Sequence, residues 1–223
     1  MFLTGANPFA LSVEKLKALA EKIHKYLPMI KTIGCFSRVT DISPKSLEEL
    51  RELKKLGYDE IIIGTETGDD EALLFMRKGY KAQDIVYELN KLDKAGISYH
   101  ISYLNGLSGE GNGSHAAINT AAIYNKINPI SISIVALTVF PESKLYDEIQ
   151  KGLFTETSEI EKLREQKTLI ENLNIKTMIY ANTVSNTAPI SGKLPQDKDK
   201  MQNVIDTIDE NTLRYYRNGI VHL

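Results

Sequence analysis

One cysteine, Cys35, no tryptophan and four histidines leave this chain poor in the residues that close disulfides or hold metals. A single thiol excludes an internal disulfide framework, and no spacing of His, Cys, Asp and Glu matches a zinc or calcium site. Charge of one sign is also lacking. The 27 Lys and Arg face 29 Asp and Glu, for a net charge of −2. With no basic surplus, nothing argues for a nucleic-acid surface, and the dispersed lysines read as solvated helix faces. No apolar run reaches the roughly 18 residues that would mark a membrane-spanning helix. Residues 1–11 lack the charged start and long apolar stretch of a signal peptide. These absences predict a cytoplasmic protein with no metal site of its own.

What is present is ordinary for a globular domain. Hydrophobic residues make up 42% and charged residues 25% of 223 positions, enough for one sizeable core. No Pro/Ser-rich linker divides the chain, so a single domain over 1–223 is expected.

The pattern alternates strand and helix. Strands are predicted over 1–4, 30–39, 59–64, 97–104, 130–140 and 175–183. In 12–27, Val13, Leu16, Ala20, Ile23 and Leu27 fall on one helical face, with Ser12 as N-cap. Ser43-Pro44 is read as opening a second helix that Gly57 ends. Further helices are predicted over 70–78, 82–95, 114–127 and 158–173, the last with Ser158 and Glu161 as a capping box. A polar helix near 198–210 and an irregular tail complete the reading. Six strands separated by helices argue for a parallel sheet closing toward a barrel, open or complete.

In parallel α/β folds ligands sit at the carboxyl ends of the strands. Four segments follow strands there: FLTGANP, GTETGDDEAL, YLNGLSGE and ALTVFPESKLYDEI. Their small residues let a flat cofactor lie against the backbone. Glu66 between glycines is the most specific of these features. Helix capping by Thr67 or Asp69 explains its flanks but not a carboxylate at that position. Arg38 ends the second strand, where it can hold a carboxylate or pair with Asp41. Asn105-Gly106-Leu107 can be a nucleoside loop or a phosphate loop, although it lacks the Lys-Ser/Thr of the latter. His115 and Tyr103 are candidate substrate contacts. Lys31 and Lys176 stand at strand starts, the wrong end for Schiff-base chemistry.

In this order the segments resemble the second, fourth, fifth and sixth strands of the radical S-adenosylmethionine (SAM) superfamily. The likeness extends to its Fe–S oxidoreductases, near the oxygen-independent coproporphyrinogen oxidases and the elongator acetyltransferase radical SAM domain. The resemblance implies a partial (β/α) TIM-like barrel whose first βα unit is missing. By the same resemblance, Gly5, Ala6, Asn7 and Pro8 would bind the methionine amino group. Arg38 would meet its carboxylate. Glu66 and Thr67 would approach ribose and methionine. Asn105, Gly106 and Leu107 would close over adenine, beside Leu137 and Thr138. SNTAPISGKLPQDKDKM resembles a branch signature. Family members hold a [4Fe–4S] cluster through three cysteines on the first loop, which Cys35 alone cannot supply. The expectation is a piece of a longer enzyme, with the cluster in the full-length parent only. This chain alone would be inactive and able to self-associate through the open barrel edge. The alternative is a non-catalytic α/β module that binds a nucleotide or a partner protein.

Overall fold

The structure is a computed structural model, and it describes residues 1–209 and Leu213. The predicted C-terminal tail lies outside the described residues. Among the described residues seven strands form one sheet in strict chain order. They are β1 (Phe2–Leu3), β2 (Gly34–Arg38), β3 (Ile61–Glu66), β4 (Tyr99–Asn105), β5 (Ser131–Ala136), β6 (Thr177–Ala181) and β7 (Ile190–Leu194). The first six are mutually parallel, as expected. The seventh is antiparallel to β6 and was not foreseen, because ISGKL was read as part of a signature.

The helices among the described residues are α1 (Val13–Tyr26), α2 (Val39–Ile42), α3 (Leu47–Lys55), α4 (Asp70–Phe75), α5 (Ala82–Ala95), α6 (Gly113–Tyr124), α7 (Lys144–Gln150), α8 (Glu159–Asn172) and α9 (Lys198–Asp206). Their starts follow from caps. Ser12 caps α1, and Ser46 with Glu49 forms the capping box of α3. The helix expected at Pro44 therefore begins three residues later, because Ser46 offers the better cap. Glycine in the left-handed conformation ends α5 at Gly96. The short α7, capped by Ser143, follows the Pro-containing turn of ALTVFPESKLYDEI.

Side chains alternate across a strand, and burial follows that period in β3 and β4. Ile61, Ile63, Tyr99, Ile101, Ile132, Ile134 and Ile179 point to one face and form the core with the helices. The helices pack as a single row: α1 on α3, α3 on α5, α5 on α6, α6 on α8 and α8 on α9. One face of the sheet is thus covered. Sequential strand order with helices on one side is the arrangement of a barrel wall, not of a doubly wound sheet. The opposite face is the barrel's inner face.

Candidate functional site

Parallel strands bring their carboxyl ends to one edge of the sheet. Gly5–Pro8 follow β1, Arg38 ends β2, Glu66 ends β3, Asn105 ends β4, and Leu137–Thr138 follow β5. All the predicted SAM-contact turns therefore share one rim. Strand alternation then divides them into two sets, one toward the inner face and one toward the helices.

Glu66 belongs to the inner set. Its backbone is left-handed, at φ 59, and the β3–β4 register shifts between Gly64 and Glu66. A non-glycine residue there costs roughly 1 kcal/mol. The turn folds the carboxylate back over Gly64, where a Cβ would lie 2.9 Å from Oε1. A side chain at position 64 would push the Glu66 carboxylate out of this pose. Lys78 Nζ stands 3.4 Å from the same oxygen, and the side chain is 24% exposed. This half-buried carboxylate can still accept further hydrogen bonds.

The threonines of the same turn face the helices. Thr65 Oγ1 bonds the Tyr124 hydroxyl at 2.6 Å and donates to the Ser102 carbonyl at 3.0 Å. Thr67 Oγ1 lies 3.0 Å from Thr120 Oγ1, and the Gly68 amide donates to Thr120 at 2.8 Å. A Cβ on Gly68 would be 2.6 Å from Thr120 Cα, so the turn is locked to α6 by a backbone-close contact. Thr67 is buried in that contact and lies opposite Glu66.

Gly106 turns the chain at the end of β4 with φ 85, a conformation that favours glycine. Its loop is held by α8, which the sequence reading did not connect to the site. Glu165 accepts the Tyr103 hydroxyl at 2.5 Å and the Gly106 amide at 3.1 Å. Asn105 Nδ2 donates to the Lys162 carbonyl at 2.9 Å. Lys162 Nζ donates to the Leu137 carbonyl at 3.4 Å and lies 3.3 Å from Glu159. Glu161 was expected to complete the capping box of α8. Ser158 does cap that helix, but the Glu161 carboxylate reaches the Gly111 amide instead, at 2.5 Å. Thus Glu161, Lys162 and Glu165 hold the loops after β4 and β5 together.

Burial pushes the Glu165 carboxyl up to about 7, partly offset by its bonds from Tyr103 and Gly106. The Tyr103 phenol is pushed up as well, by burial and then by the neighbouring carboxylate. One signal in the sequence points to this clamp. Lys162, Glu165, Gln166 and Leu169 occupy the i, i+3, i+4, i+7 stripe where α8 should be apolar, and all four are buried.

The other predicted residues separate clearly. Tyr103 and Asn105 are buried against α8, with Asn105 Oδ1 left without a hydrogen-bond partner. Leu107 and Leu137 form a small apolar cluster with Phe154, while Thr138 is exposed. Gly5 and Ala6 are exposed in left-handed backbone, and Pro8 starts a 3-10 turn. Arg38 forms the alternative ion pair, 2.8 Å to Asp41, and its side chain remains 61% exposed. His115 is 73% exposed, with Asn119 at 3.0 Å and Asp69 at 4.0 Å, away from the inner face.

A cluster held by three thiolates does not fit the described residues. Cys35 faces the helices, fully buried, and desolvation pushes its thiol up to about 12. Among the described residues no group of three His, Cys, Asp or Glu can hold a metal ion. No described helix is long and apolar enough to cross a membrane.

Comparison with known proteins identifies the family. The chain is 26% identical over 154 residues to the heme chaperone HemW of Bacillus subtilis, covering 68% of this chain and 40% of that protein. In structure it is similar to the archaeal Elp3 of Methanocaldococcus infernus. The TM-score is 0.63 and the identity 14%, over 98% of this chain and 53% of that one. The Escherichia coli coproporphyrinogen III oxidase HemN, described as a radical SAM enzyme, matches with TM-score 0.54 and 17% identity. That match covers 63% of this chain and 32% of HemN. The chain therefore spans about half or less of these relatives' length, and the structural likenesses bear on fold alone. The model of the Radical SAM superfamily matches residues 1–118, more than half of the sequence. The chain therefore belongs to the radical SAM superfamily, in keeping with the barrel-wall fold.

Proposed function

We propose that this chain is the SAM-binding barrel portion of a radical SAM Fe–S oxidoreductase. In a longer protein that carries the cluster, SAM bound at this rim would be cleaved reductively to a 5′-deoxyadenosyl radical. This chain, without the thiolates, binds SAM and does not cleave it. Glu66 is the observation that carries the reading. Its carboxylate is held over Gly64 on the inner side of the rim, with Lys78 as its partner. It accepts the ribose hydroxyls or the ammonium of SAM. The Gly106 turn, fixed from behind by Glu165, offers backbone to adenine. Gly5–Pro8, one strand beyond β2, meet the methionine end, with the exposed guanidinium of Arg38 beside them.

Calorimetry with SAM tests this. Wild type binds weakly. Glu66→Ala loses a charge-assisted hydrogen bond worth roughly 1.5–3 kcal/mol, a tenfold or larger loss of affinity. Gly106→Val abolishes binding, because a β-branched residue cannot hold that backbone. Equal affinity in wild type and Glu66→Ala would remove Glu66 from the site. No binding of SAM by wild type, with a nucleotide or protein bound instead, would favour a non-catalytic module.

A further inference from the structure

The ladder register specifies which side chains share the inner face. One row across the sheet reads Arg38, Gly64, Ser102, Ser133, Tyr180 and Ser191, each opposite the next on adjacent strands. From β4 to β7 this row carries four hydroxyls in succession. Adjacent strands are about 4.8 Å apart, so the positions that carry the hydroxyls recur at about that interval, with the Tyr180 hydroxyl reaching further out than the serines. None of the four makes a hydrogen bond to another described residue, and none is sealed from solvent. The next row down behaves differently, because there His100 Nδ1 and Ser131 Oγ satisfy each other at 2.7 Å.

A closed barrel normally fills this face with branched apolar side chains. Serine contributes little to strand formation or packing, and a row of unpartnered hydroxyls does nothing for the core, which lies on the opposite face. No carboxylate or cation interrupts the row between Ser102 and Ser191. Each hydroxyl both donates and accepts, so the row matches a neutral molecule bearing several hydroxyls of its own. A flat apolar macrocycle laid here would strip four hydroxyls of water without replacing their hydrogen bonds.

We propose that the inner face of β4–β7 binds a neutral, polyhydroxylated small molecule of carbohydrate type, beside the SAM rim. The proposal rests on the reading of the rim as a SAM site and names the class of its second substrate. It contrasts with the tetrapyrroles for which two similar proteins, the heme chaperone HemW and the coproporphyrinogen III oxidase HemN, are named.

The test is an amide-resolved NMR titration of the isotopically labelled chain with maltose, hemin and SAM, each in a separate experiment. Maltose at millimolar concentration shifts the amides of Ser102, Ser133 and Tyr180. The double variant Ser133→Ala/Tyr180→Phe weakens that binding about tenfold, for two lost hydroxyl contacts. Its spectrum otherwise retains the wild-type dispersion, which separates lost contacts from lost folding. Three results overturn the proposal: no shift in β4–β6 with maltose, shifts unchanged in the double variant, or hemin perturbing this row where maltose does not. SAM is read at Glu66 and Gly106 in the same spectra, so a failed SAM reading and a failed substrate reading are distinguishable.

Discussion

Glu165 is the residue on which the geometry of the Gly106 loop most depends. Its carboxylate bonds Tyr103 and Gly106 while standing against Gly113, where a Cβ would sit 2.7 Å from Oε2. Burial raises its folded-state value to about 7, above the ordinary 4.5. Between those values the folded protein binds more protons than the unfolded chain. Stability from this group is therefore greatest at low pH and is lost as pH rises through 7. Glutamine keeps an oxygen acceptor and removes the titration. Urea unfolding of wild type and Glu165→Gln should show the difference moving by roughly 2–3 kcal/mol in favour of the variant between about pH 5 and pH 8. A difference independent of pH would mean that Glu165 titrates as an ordinary exposed carboxylate.

At the scale of elements, the segment that resembled a branch signature has a physical role. Pairing between β5 and β6 ends at Ser133 opposite Tyr180, which leaves the last residues of β5 paired with β4 but open on the β6 side. Asn186 takes that place. Its Nδ2 donates to the Ile134 carbonyl at 2.8 Å, and its Oδ1 accepts the Ala136 amide at 3.1 Å. One buried side chain thus substitutes for a strand. Asn186→Ala leaves both backbone groups unpaired and should cost roughly 2–4 kcal/mol, with faster hydrogen exchange at the Ala136 amide. Unchanged exchange there would show that the strand end is held otherwise.

The same scale separates what the sequence discloses from what it conceals. Long apolar runs such as DEIIIG locate β3, and the caps at Ser12 and Ser158 locate their helices, because those signals are local. Glu66 stands out in the sequence for the same reason: capping accounts for its flanks but not for a carboxylate between glycines. The clamp from α8 was hidden. Glu165 and Gly106 are 59 residues apart, and only a buried charge on an expected apolar stripe hinted at it. Thr67 and Tyr103 were grouped with Glu66 by nearness in sequence or to the rim, yet period-two alternation sends their side chains to the helix side.

For the whole molecule, the free edge of β1 is the exposed feature. The strand has two residues, pairs only with β2 among the described residues, and carries Phe2 stacked edge-on against Phe36 at 5.0 Å. Both rings are 40% exposed. An open edge with adjacent apolar surface invites pairing with another chain. Light scattering should find concentration-dependent association that Phe2→Lys reduces. A monomer at all concentrations would show that so short an edge is harmless.

The central claim is that the carboxyl-end rim of this barrel wall binds SAM through Glu66 and the Gly106 turn. A crystal structure of the chain grown with SAM tests it most directly. The account predicts SAM across the carboxyl ends of β3 and β4, with the Glu66 carboxylate within hydrogen-bond distance of a ribose hydroxyl or the ammonium and adenine against Gly106–Leu107. SAM bound at the amino ends of the strands or among the helices, with Glu66 still facing Lys78 alone, would contradict it.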